Sequence, residues 1–259
     1  MLRIEKVSKS FKKGILAKEK TTAVCEVSLN IEEGQTIGIL GNSGCGKTTL
    51  SRMLTGILPP DEGTIFYKGK DIYKMQASWQ KQYHREVQLI FQNPESSLNP
   101  SLTILGNLLI PMDIHYPHLT KEVKLKKLEE LMVQLGIRQH LLSRYPHQIS
   151  GGEAQRIVLC RALALEPKVM IFDESTAMLD VSVQAQIITL LKELQQQFHL
   201  TYIYITHDLE LISIITEILV VMKEGRIVEQ GRTYDIMQGA KHPYTRTLIE
   251  AFKNWEDEV

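Results

Sequence analysis

Short apolar runs, separated by polar residues or turns, recur along the chain. Most are too short for a helix, so each predicts a β-strand. The predicted strands are Leu2–Val7, Val24–Ile31, Gln35–Leu40, Thr64–Tyr67, Val87–Phe91, Lys168–Asp173 and Thr201–Thr206. Residues 218–222 and 226–229 flank a Lys-Glu-Gly turn, which predicts a hairpin.

Other segments carry the spacing of amphipathic helices. Apolar residues recur every three or four positions over residues 125–135, followed by Gly136 as a C-cap, and again over residues 183–198. Pro243 begins a predicted C-terminal helix. Alternating strands and helices predict an α/β domain with a mainly parallel sheet, interrupted by a helical insertion that reaches about Ile149. Such sheets bind ligands at the carboxyl ends of their strands.

Composition excludes several classes of protein. With 43% apolar and 23% charged residues, the chain has the composition of a globular protein. The 30 basic and 30 acidic residues cancel, which disfavours a general nucleic-acid-binding role. Cys25, Cys45 and Cys160 are far apart, which disfavours a disulfide framework or a cysteine zinc site and fits a reducing compartment. Both of the most apolar stretches are shorter than the ~18–20 residues of a membrane-spanning helix, so any membrane role is expected to come through a partner.

A glycine-rich segment follows the strand that ends at Leu40. Its sequence matches the phosphate-loop pattern, with a strand before it and a helix after it. Glycines let backbone N–H groups point at an anion, and the following helix presents its positive dipole end. The predicted nucleotide-binding residues of this loop are Gly41, Asn42, Ser43, Gly44, Cys45, Gly46, Lys47, Thr48 and Thr49.

Three side chains near this loop have predicted chemical roles. Lys47 supplies a cation for the β- and γ-phosphates of ATP, and the Thr48 hydroxyl is placed to bind Mg²⁺. Cys45 lies beside Lys47 and a helix N-terminus, and both features favour the thiolate over the thiol; the alternative is a small residue that the loop tolerates, with no redox role.

A second acidic motif ends the strand at residues 168–173. Asp173 and Glu174 are adjacent carboxylates after an apolar run. In phosphate-loop ATPases an Asp at this place helps to hold Mg²⁺, and an adjacent Glu can act as the general base for the attacking water. Together with the phosphate loop, this pair predicts ATP hydrolysis.

The segment Ser-Gly-Gly-Glu-Ala-Gln-Arg at residues 150–156 resembles the signature of ATP-binding cassette (ABC) ATPases. The resemblance covers nearly the whole chain, with the motifs in the family's order. It implies an α/β fold: a phosphate-loop (RecA-like) ABC ATPase core with an N-terminal antiparallel β subdomain and an inserted α-helical subdomain. On this basis residues 1–259 form a single ABC ATPase domain. Its expected parts are a core at 1–93 and 160–232, a helical signature subdomain at 94–159 and a helical tail at 233–259.

The resemblance also implies roles for residues outside the two nucleotide motifs. Phe11 corresponds to the aromatic residue that stacks on adenine, and Gln92 to the glutamine that reaches Mg²⁺ and the attacking water. Asp180 matches the acid of the D-loop, and His207 matches the histidine that contacts the γ-phosphate. Two positions depart from the family pattern: Glu153, where Gln is commonest, and Ser175, where Pro or Ala is usual.

The signature predicts a dimer. In the family it faces the γ-phosphate that the opposite subunit holds, and here the residues concerned are Ser150, Gly151, Gly152 and Glu153. The chain carries one copy of each half-site, which implies a head-to-tail dimer either with itself or with a homologous ATPase subunit. ATP would join the two subunits, and hydrolysis would release them.

Two further segments are similar to the peptide and nickel uptake group of ABC importers. They are residues 92–100 and the His-Pro-Tyr-Thr segment that begins at His242. This similarity implies an ATPase subunit at the cytoplasmic face of the cell membrane, with two membrane-spanning permease subunits and, indirectly, an extracytoplasmic binding protein. The substrate is left open between nickel, dipeptides and oligopeptides. An exporter ATPase, or a soluble ABC ATPase that acts on nucleic acid, are the alternatives; no nucleic-acid partner is expected, because the charge is balanced.

Overall fold

The computed structural model describes residues 1–12, 20–91, 94–173 and 181–256. The described strands are β1 (Leu2–Lys12), β2 (Lys20–Ile31), β3 (Thr36–Leu40), β4 (Glu62–Tyr67), β5 (Lys70–Asp71), β6 (Val87–Phe91), β7 (Val169–Asp173), β8 (Thr201–Thr206), β9 (Ile218–Lys223) and β10 (Arg226–Arg232). The described helices are α1 (Lys47–Leu54), α2 (Ala77–Glu86), α3 (Ile104–His115), α4 (Lys121–Gln134), α5 (Gly151–Leu163), α6 (Val181–Phe198), α7 (Leu209–Ile215), α8 (Thr233–Gly239) and α9 (Pro243–Glu256).

The chain divides into two compact units, which are residues 1–80 with 201–259 and residues 81–200. In the first unit, β2, β1, β4 and β5 form an antiparallel sheet in that order. In the same unit β3 pairs in parallel with both β8 and β9, and β10 pairs antiparallel with β9. All five residues of β3 are buried, which explains why this strand reads as a continuous apolar run.

The apolar core of the first unit reaches the end of β3. Leu40, the last residue of that strand, packs with residues of α7, β9, α8 and α9. The buried members of this cluster are Leu40, Leu209, Ile212, Leu219, Val221, Ile236 and Ile249. The predicted C-terminal helix is therefore present, and its apolar face packs on the segment that leads into the phosphate loop.

A tyrosine closes the C-terminal end of α1 in this unit. The Tyr73 hydroxyl lies 2.6 Å from the Met53 carbonyl oxygen and 2.6 Å from the Leu58 carbonyl oxygen, and it can donate to either. Burial raises the pKa of Tyr73 well above its ordinary value. The Met53 carbonyl also accepts from the Gly56 N–H at 3.1 Å, so the tyrosine adds a second partner at the end of the helix that follows the phosphate loop.

In the second unit, β6 and β7 pair in parallel, with Phe91 opposite Asp173. Helices α3, α4 and α5 make up much of the rest, and Thr103 and Thr120 cap the first two. The buried Asn107 of α3 accepts from the Asn99 N–H at 2.7 Å and donates to the Asn99 carbonyl at 3.1 Å. A buried amide thus fixes the loop around Asn99.

Every strand predicted from the apolar runs is present, whereas the described helices α2, α7 and α8 were not predicted. The sequence of α2 is mostly polar, and of its residues only Tyr83 and Glu86 are buried. It therefore lacks the apolar stripe from which a helix is predicted. The apolar run of α7 continues almost unbroken toward β9, and the structure divides it at Thr216. The Thr216 hydroxyl donates to the Ile212 carbonyl at 2.8 Å and lies 2.9 Å from the Thr233 hydroxyl. Helix α8 is short and follows directly on β10.

The predicted division into core, helical subdomain and tail stays a prediction. Within the described ranges, no helix combines the length and the apolar character that crossing a membrane requires.

Candidate nucleotide-binding site

The phosphate loop connects the buried strand β3 to helix α1. Gly46 is the N-cap of α1, with φ at 107°, and the Leu50 N–H donates to its carbonyl at 2.9 Å. The side chains of Asn42 and Ser43 are exposed at the rim of the loop, and Thr48 is exposed in the first turn of α1. The loop therefore presents a helix N-terminus and hydroxyl groups to solvent, as an anion-binding loop must.

Lys47 is folded back into the loop. Its side chain is 5% exposed, and Nζ donates to the Gly41 carbonyl at 2.7 Å and to the Asn42 carbonyl at 3.1 Å. These contacts place a positive charge inside the curve of the loop, and its role toward the phosphates stays a prediction.

Cys45 contradicts one expectation from the sequence. The prediction that this thiol favours the thiolate is wrong, because burial raises the pKa of Cys45 and the nearby Lys47 charge offsets only part of that effect. The side chain is 7% exposed and packs against Gly41: a Cβ built on Gly41 would lie 2.6 Å from Cys45 Sγ. Cys45 therefore fills space inside the loop as a protonated thiol.

His207 emerges at the same edge of the sheet as the phosphate loop. Leu40 of β3 is in register with Thr206 of β8. The phosphate loop and His207 therefore follow the ends of two neighbouring strands. The Asp208 N–H donates to the Thr206 hydroxyl at 3.0 Å, and the Asp208 carboxylate caps α7 by accepting from the Leu211 N–H at 3.0 Å. These bonds hold the turn that carries His207, whose residue is exposed.

Two contacts to the loop were not predicted. Gly225, in the turn between β9 and β10, donates its N–H to the Cys45 carbonyl at 2.9 Å and accepts from the Cys25 N–H at 2.8 Å. The Tyr244 hydroxyl accepts from the Asn42 N–H at 3.2 Å. The sequence singled out the segment around Tyr244 as similar to one group of importers, but no local pattern indicates a contact across that distance in sequence.

Phe11 lies in β1, opposite Thr21 of β2, and 44% of its surface is exposed. An exposed ring at a sheet position is available for stacking, and its assignment to adenine stays a prediction.

The signature segment begins helix α5 in the second unit. Ser150 is the N-cap: its hydroxyl accepts from the Glu153 N–H at 3.3 Å, and the Glu153 carboxylate accepts from the Ser150 N–H at 2.9 Å. This reciprocal pair is a capping box. The bond from the Ser150 N–H is the main reason that the pKa of Glu153 is lowered. The departure of Glu153 from the commonest family residue is thus compatible with an ordered helix start.

Two other polar residues of the signature helix, Gln155 and Arg156, differ in whether their side chains have hydrogen-bond partners among the described residues. Arg156 donates from Nη1 to the Leu135 carbonyl at 2.8 Å, which ties α5 to the end of α4. The Gln155 side chain is fully buried, and among the described residues neither its amide nitrogen nor its amide oxygen has a hydrogen-bond partner.

The second acidic motif is described only in part. Asp173 is the last residue of β7 and is 7% exposed. Gln92, Glu174, Ser175 and Asp180 lie outside the described residues, so their predicted roles stay predictions. Over the described ranges, no group of three or more His, Cys, Asp and Glu residues could hold a metal ion. Mg²⁺ usually takes one or two protein oxygens together with phosphate and water; Thr48 and Asp173 each carry an oxygen group of that kind, and their joint role stays a prediction.

Comparison with known proteins identifies the family. The ABC transporter family matches residues 24–177. The chain is 41% identical to the oligopeptide transport ATP-binding protein OppF of Haemophilus influenzae, over 94% of this chain and 74% of that protein. It is also 41% identical to the dipeptide transport ATP-binding protein DppF of Escherichia coli, over 93% of this chain and 72% of that protein.

Solved structures agree. The chain superposes on cbiO1 of Clostridium perfringens, part of the ABC transporter complex cbiONQ, with a TM-score of 0.80 and 28% identity over 92% of this chain and 90% of that one. A dimeric ATP-binding cassette, MJ0796, bound to ADP and Pi in a post-hydrolysis state, gives a TM-score of 0.79 and 27% identity over 90% of this chain and 99% of that one. With the ABC ATPase fold and a phosphate loop of the expected form, this chain belongs to the ABC transporter family.

Proposed function

We propose that this chain is the ATP-hydrolysing subunit of a membrane importer for oligopeptides or dipeptides. The observation that carries the proposal is its 41% identity, over 94% of the chain, to an oligopeptide transport ATP-binding protein. A dipeptide transport ATP-binding protein is as similar over 93% of the chain. These relatives favour an importer over an exporter and over an ATPase that acts on nucleic acid. Nickel is the competing substrate.

ATP binds at the phosphate loop, residues 41–49. The buried Lys47 ammonium, already within the curve of the loop, faces the β- and γ-phosphates. Thr48, Asp173 and Gln92 provide oxygen ligands for Mg²⁺, which neutralises charge on these phosphates when it is bound. Phe11 stacks on the adenine.

Hydrolysis requires a base and a contact to the γ-phosphate. Glu174, directly after the buried Asp173, accepts the proton of the attacking water. His207 contacts the γ-phosphate from the end of β8. Gln92 orients the water.

The signature residues 150–153 complete the nucleotide site of a second subunit, which is either another copy of this chain or a homologous ATPase. Asp180 lies in the D-loop of the same dimer. The helical subdomain at 94–159 meets one of two permease subunits at the cytoplasmic face of the membrane. An extracytoplasmic binding protein delivers the peptide.

Uptake by cells tests the substrate. In a strain that lacks the gene, uptake of radiolabelled trialanine or dialanine should fall and should return with the parental gene, while nickel uptake stays unchanged. Lys47→Ala should not restore uptake, whereas Lys74→Ala, which removes a lysine whose side chain is 81% exposed and lies outside the helical subdomain, should. Loss of nickel uptake with normal peptide uptake would contradict the proposal.

Purified protein tests the base. Glu174→Gln keeps the size of the side chain and removes its basicity, so ATP turnover should fall by roughly 10²–10⁴-fold while ATP binding persists. The assay combines phosphate release with gel filtration in ATP and in ADP, where the variant should form the dimer in ATP. Because the partner can be a homologous subunit, the assay includes that subunit. Turnover near the parental rate would show that another group positions the water.

A further inference from the structure

A side chain of α9 reaches the phosphate loop. The Tyr244 hydroxyl accepts a hydrogen bond from the backbone N–H of Asn42, at 3.2 Å, across 202 positions of sequence. Lys223, the last residue of β9, holds its ammonium group 5.1 Å from the centre of the Tyr244 ring. The second residue of α9 thus lies against the second residue of the loop.

The position of Tyr244 is fixed by the strand that precedes α8. The Glu229 carboxylate of β10 accepts from the Lys241 N–H at 2.7 Å and from the His242 N–H at 3.1 Å. The Tyr244 N–H in turn donates to Nδ1 of His242 at 3.2 Å. These bonds fix the direction in which the chain enters α9, and with it the place of the tyrosine ring.

The apolar face of α9 also packs against the end of β3, next to the phosphate loop. Ile249 is 5% exposed and belongs to the core cluster that contains Leu40, and the Tyr244 ring packs against that cluster. Leu40 and Asn42 flank Gly41, the first residue of the loop. Helix α9 therefore contacts the chain on both sides of the point where β3 becomes the phosphate loop.

A phosphate loop binds tightly only when its N–H groups already converge on the anion. Ordering a loop at the moment of binding costs free energy, so a contact that fixes one peptide beforehand raises affinity. The Asn42 side chain is exposed, and within the loop the Asn42 carbonyl already accepts from Lys47 and from the Cys45 N–H. Tyr244 fixes the other end of that residue, its N–H group.

We propose that Tyr244 is a positioning residue for ATP binding, whose hydroxyl holds the Asn42 peptide and thereby keeps the phosphate loop in its binding conformation. It acts through the loop and does not touch the nucleotide. The inference rests on the proposed function of the loop. It also makes the C-terminal helix part of the nucleotide site, so a change in the seating of α9 would alter the affinity for ATP.

The contact itself can be observed without nucleotide. Asn42 and Asn107 are the two asparagines that follow a glycine, so labelling Gly with ¹³C at the carbonyl and Asn with ¹⁵N selects these two amides of the full chain. In Tyr244→Phe, the Asn42 N–H should exchange with solvent about two- to tenfold faster, the factor expected for one lost hydrogen bond. Asn107, whose N–H donates to the Thr103 carbonyl at 3.0 Å, serves as the internal reference and should not change.

The effect on ATP is measured on the same variant. Tyr244→Phe should raise KM for ATP by about two- to tenfold and leave kcat nearly unchanged, because one uncharged hydrogen bond is lost and the reacting groups are intact. Tyr234→Phe, which changes a tyrosine of α8 that is 73% exposed, is the matched control and should alter neither value. A merely structural role would reduce the folded fraction, which lowers kcat and leaves KM unchanged.

The outcomes separate this inference from the function on which it rests. If Tyr244→Phe leaves the exchange of Asn42 or the KM for ATP at the parental value, Tyr244 is not a positioning residue. A fall in kcat at constant KM overturns the inference equally. If Lys47→Ala binds ATP as tightly as the parental protein does, the proposed nucleotide site itself is wrong, whatever the exchange of Asn42.

Discussion

Three glycines of the phosphate loop allow strain and overlap to be separated by experiment. Gly44 has φ at 79° with no atom near a built Cβ, so alanine there meets only an unfavourable backbone conformation. Gly41 has an ordinary φ, but a Cβ would overlap the Met222 carbonyl oxygen and lie 2.6 Å from Cys45 Sγ. Gly46 combines both problems, because its φ is 107° and a Cβ would overlap the Ala23 carbonyl oxygen.

The magnitudes follow from these differences. A left-handed conformation costs an L-residue about 1–2 kcal/mol, which is the whole expected cost of Gly44→Ala. Overpacking costs about 1–3 kcal/mol, which is the expected cost of Gly41→Ala. Gly46→Ala should lose roughly 2–5 kcal/mol, the sum of both effects. At about 2–4 °C per kcal/mol for a chain of this size, the single costs lower the melting temperature by several degrees.

Thermal melting in the absence of nucleotide measures these costs, and a second scan with Mg-ATP measures what remains of binding. We expect Gly46→Ala to melt at a lower temperature than either of the other two variants. ATP should also stabilise Gly46→Ala less than it stabilises the other variants. Gly46 is the N-cap of α1, so its displacement also displaces the helix N-terminus that binds the phosphates. Equal melting temperatures for Gly44→Ala and Gly46→Ala would refute the reasoning, since they would mean that the Ala23 backbone does not limit the loop.

Three further predictions concern other groups. Because burial raises the pKa of the Cys45 thiol, maleimide should label the partly exposed Cys25 first. Intact-mass analysis should show a slower first labelling step in Cys25→Ser, and an unchanged rate of that step would contradict the prediction. Hydrogen bonds lower the pKa of Glu153, so its stabilising effect is present above the ordinary carboxyl pKa and is lost as the pH falls through the lowered value. Glu153→Gln, which keeps an acceptor for the Ser150 N–H, should therefore differ in stability from the parental protein less at low pH than at pH 7, and Glu153→Ala should be the least stable at pH 7. Tyr73→Phe removes the hydroxyl that lies 2.6 Å from the Met53 and Leu58 carbonyl oxygens, and since Met53 still accepts from the Gly56 N–H it should cost about 0.5–1.5 kcal/mol in urea unfolding; a change near zero would mean that water replaces the hydroxyl.

Local chemistry was readable from the sequence. The phosphate loop is recognisable because glycines, a lysine and a hydroxyl residue act within nine consecutive positions, between a short apolar strand and a helix. The Glu153 capping box was also readable, since Ser followed by Glu three residues later is a local signal for a helix start. From the sequence, Glu153 was assigned to the signature and its departure from the commonest family residue was noted, but the capping box was not identified.

Burial and distant contacts could not be predicted in this way. Cys45 was assigned a favoured thiolate from its two nearest charges, whereas the larger effect is desolvation, which depends on what packs around the loop. Tyr244 and Asn42 are 202 positions apart, so no periodic pattern connects them. Helix α2 was missed because its side chains are mostly polar, and a helix without an apolar stripe has no periodic signal.

The turn between β9 and β10 has a consequence for protein engineering. Tips of hairpins at the surface are ordinarily good places to insert a peptide tag or a fluorescent domain, since their backbone is free. Here the Gly225 N–H donates to the phosphate loop and its carbonyl accepts from β2. An insertion at this turn would therefore separate the turn, the phosphate loop and β2 from one another. A reporter for this protein belongs elsewhere, and this short turn would serve better as the place where a single inserted residue switches ATP binding off.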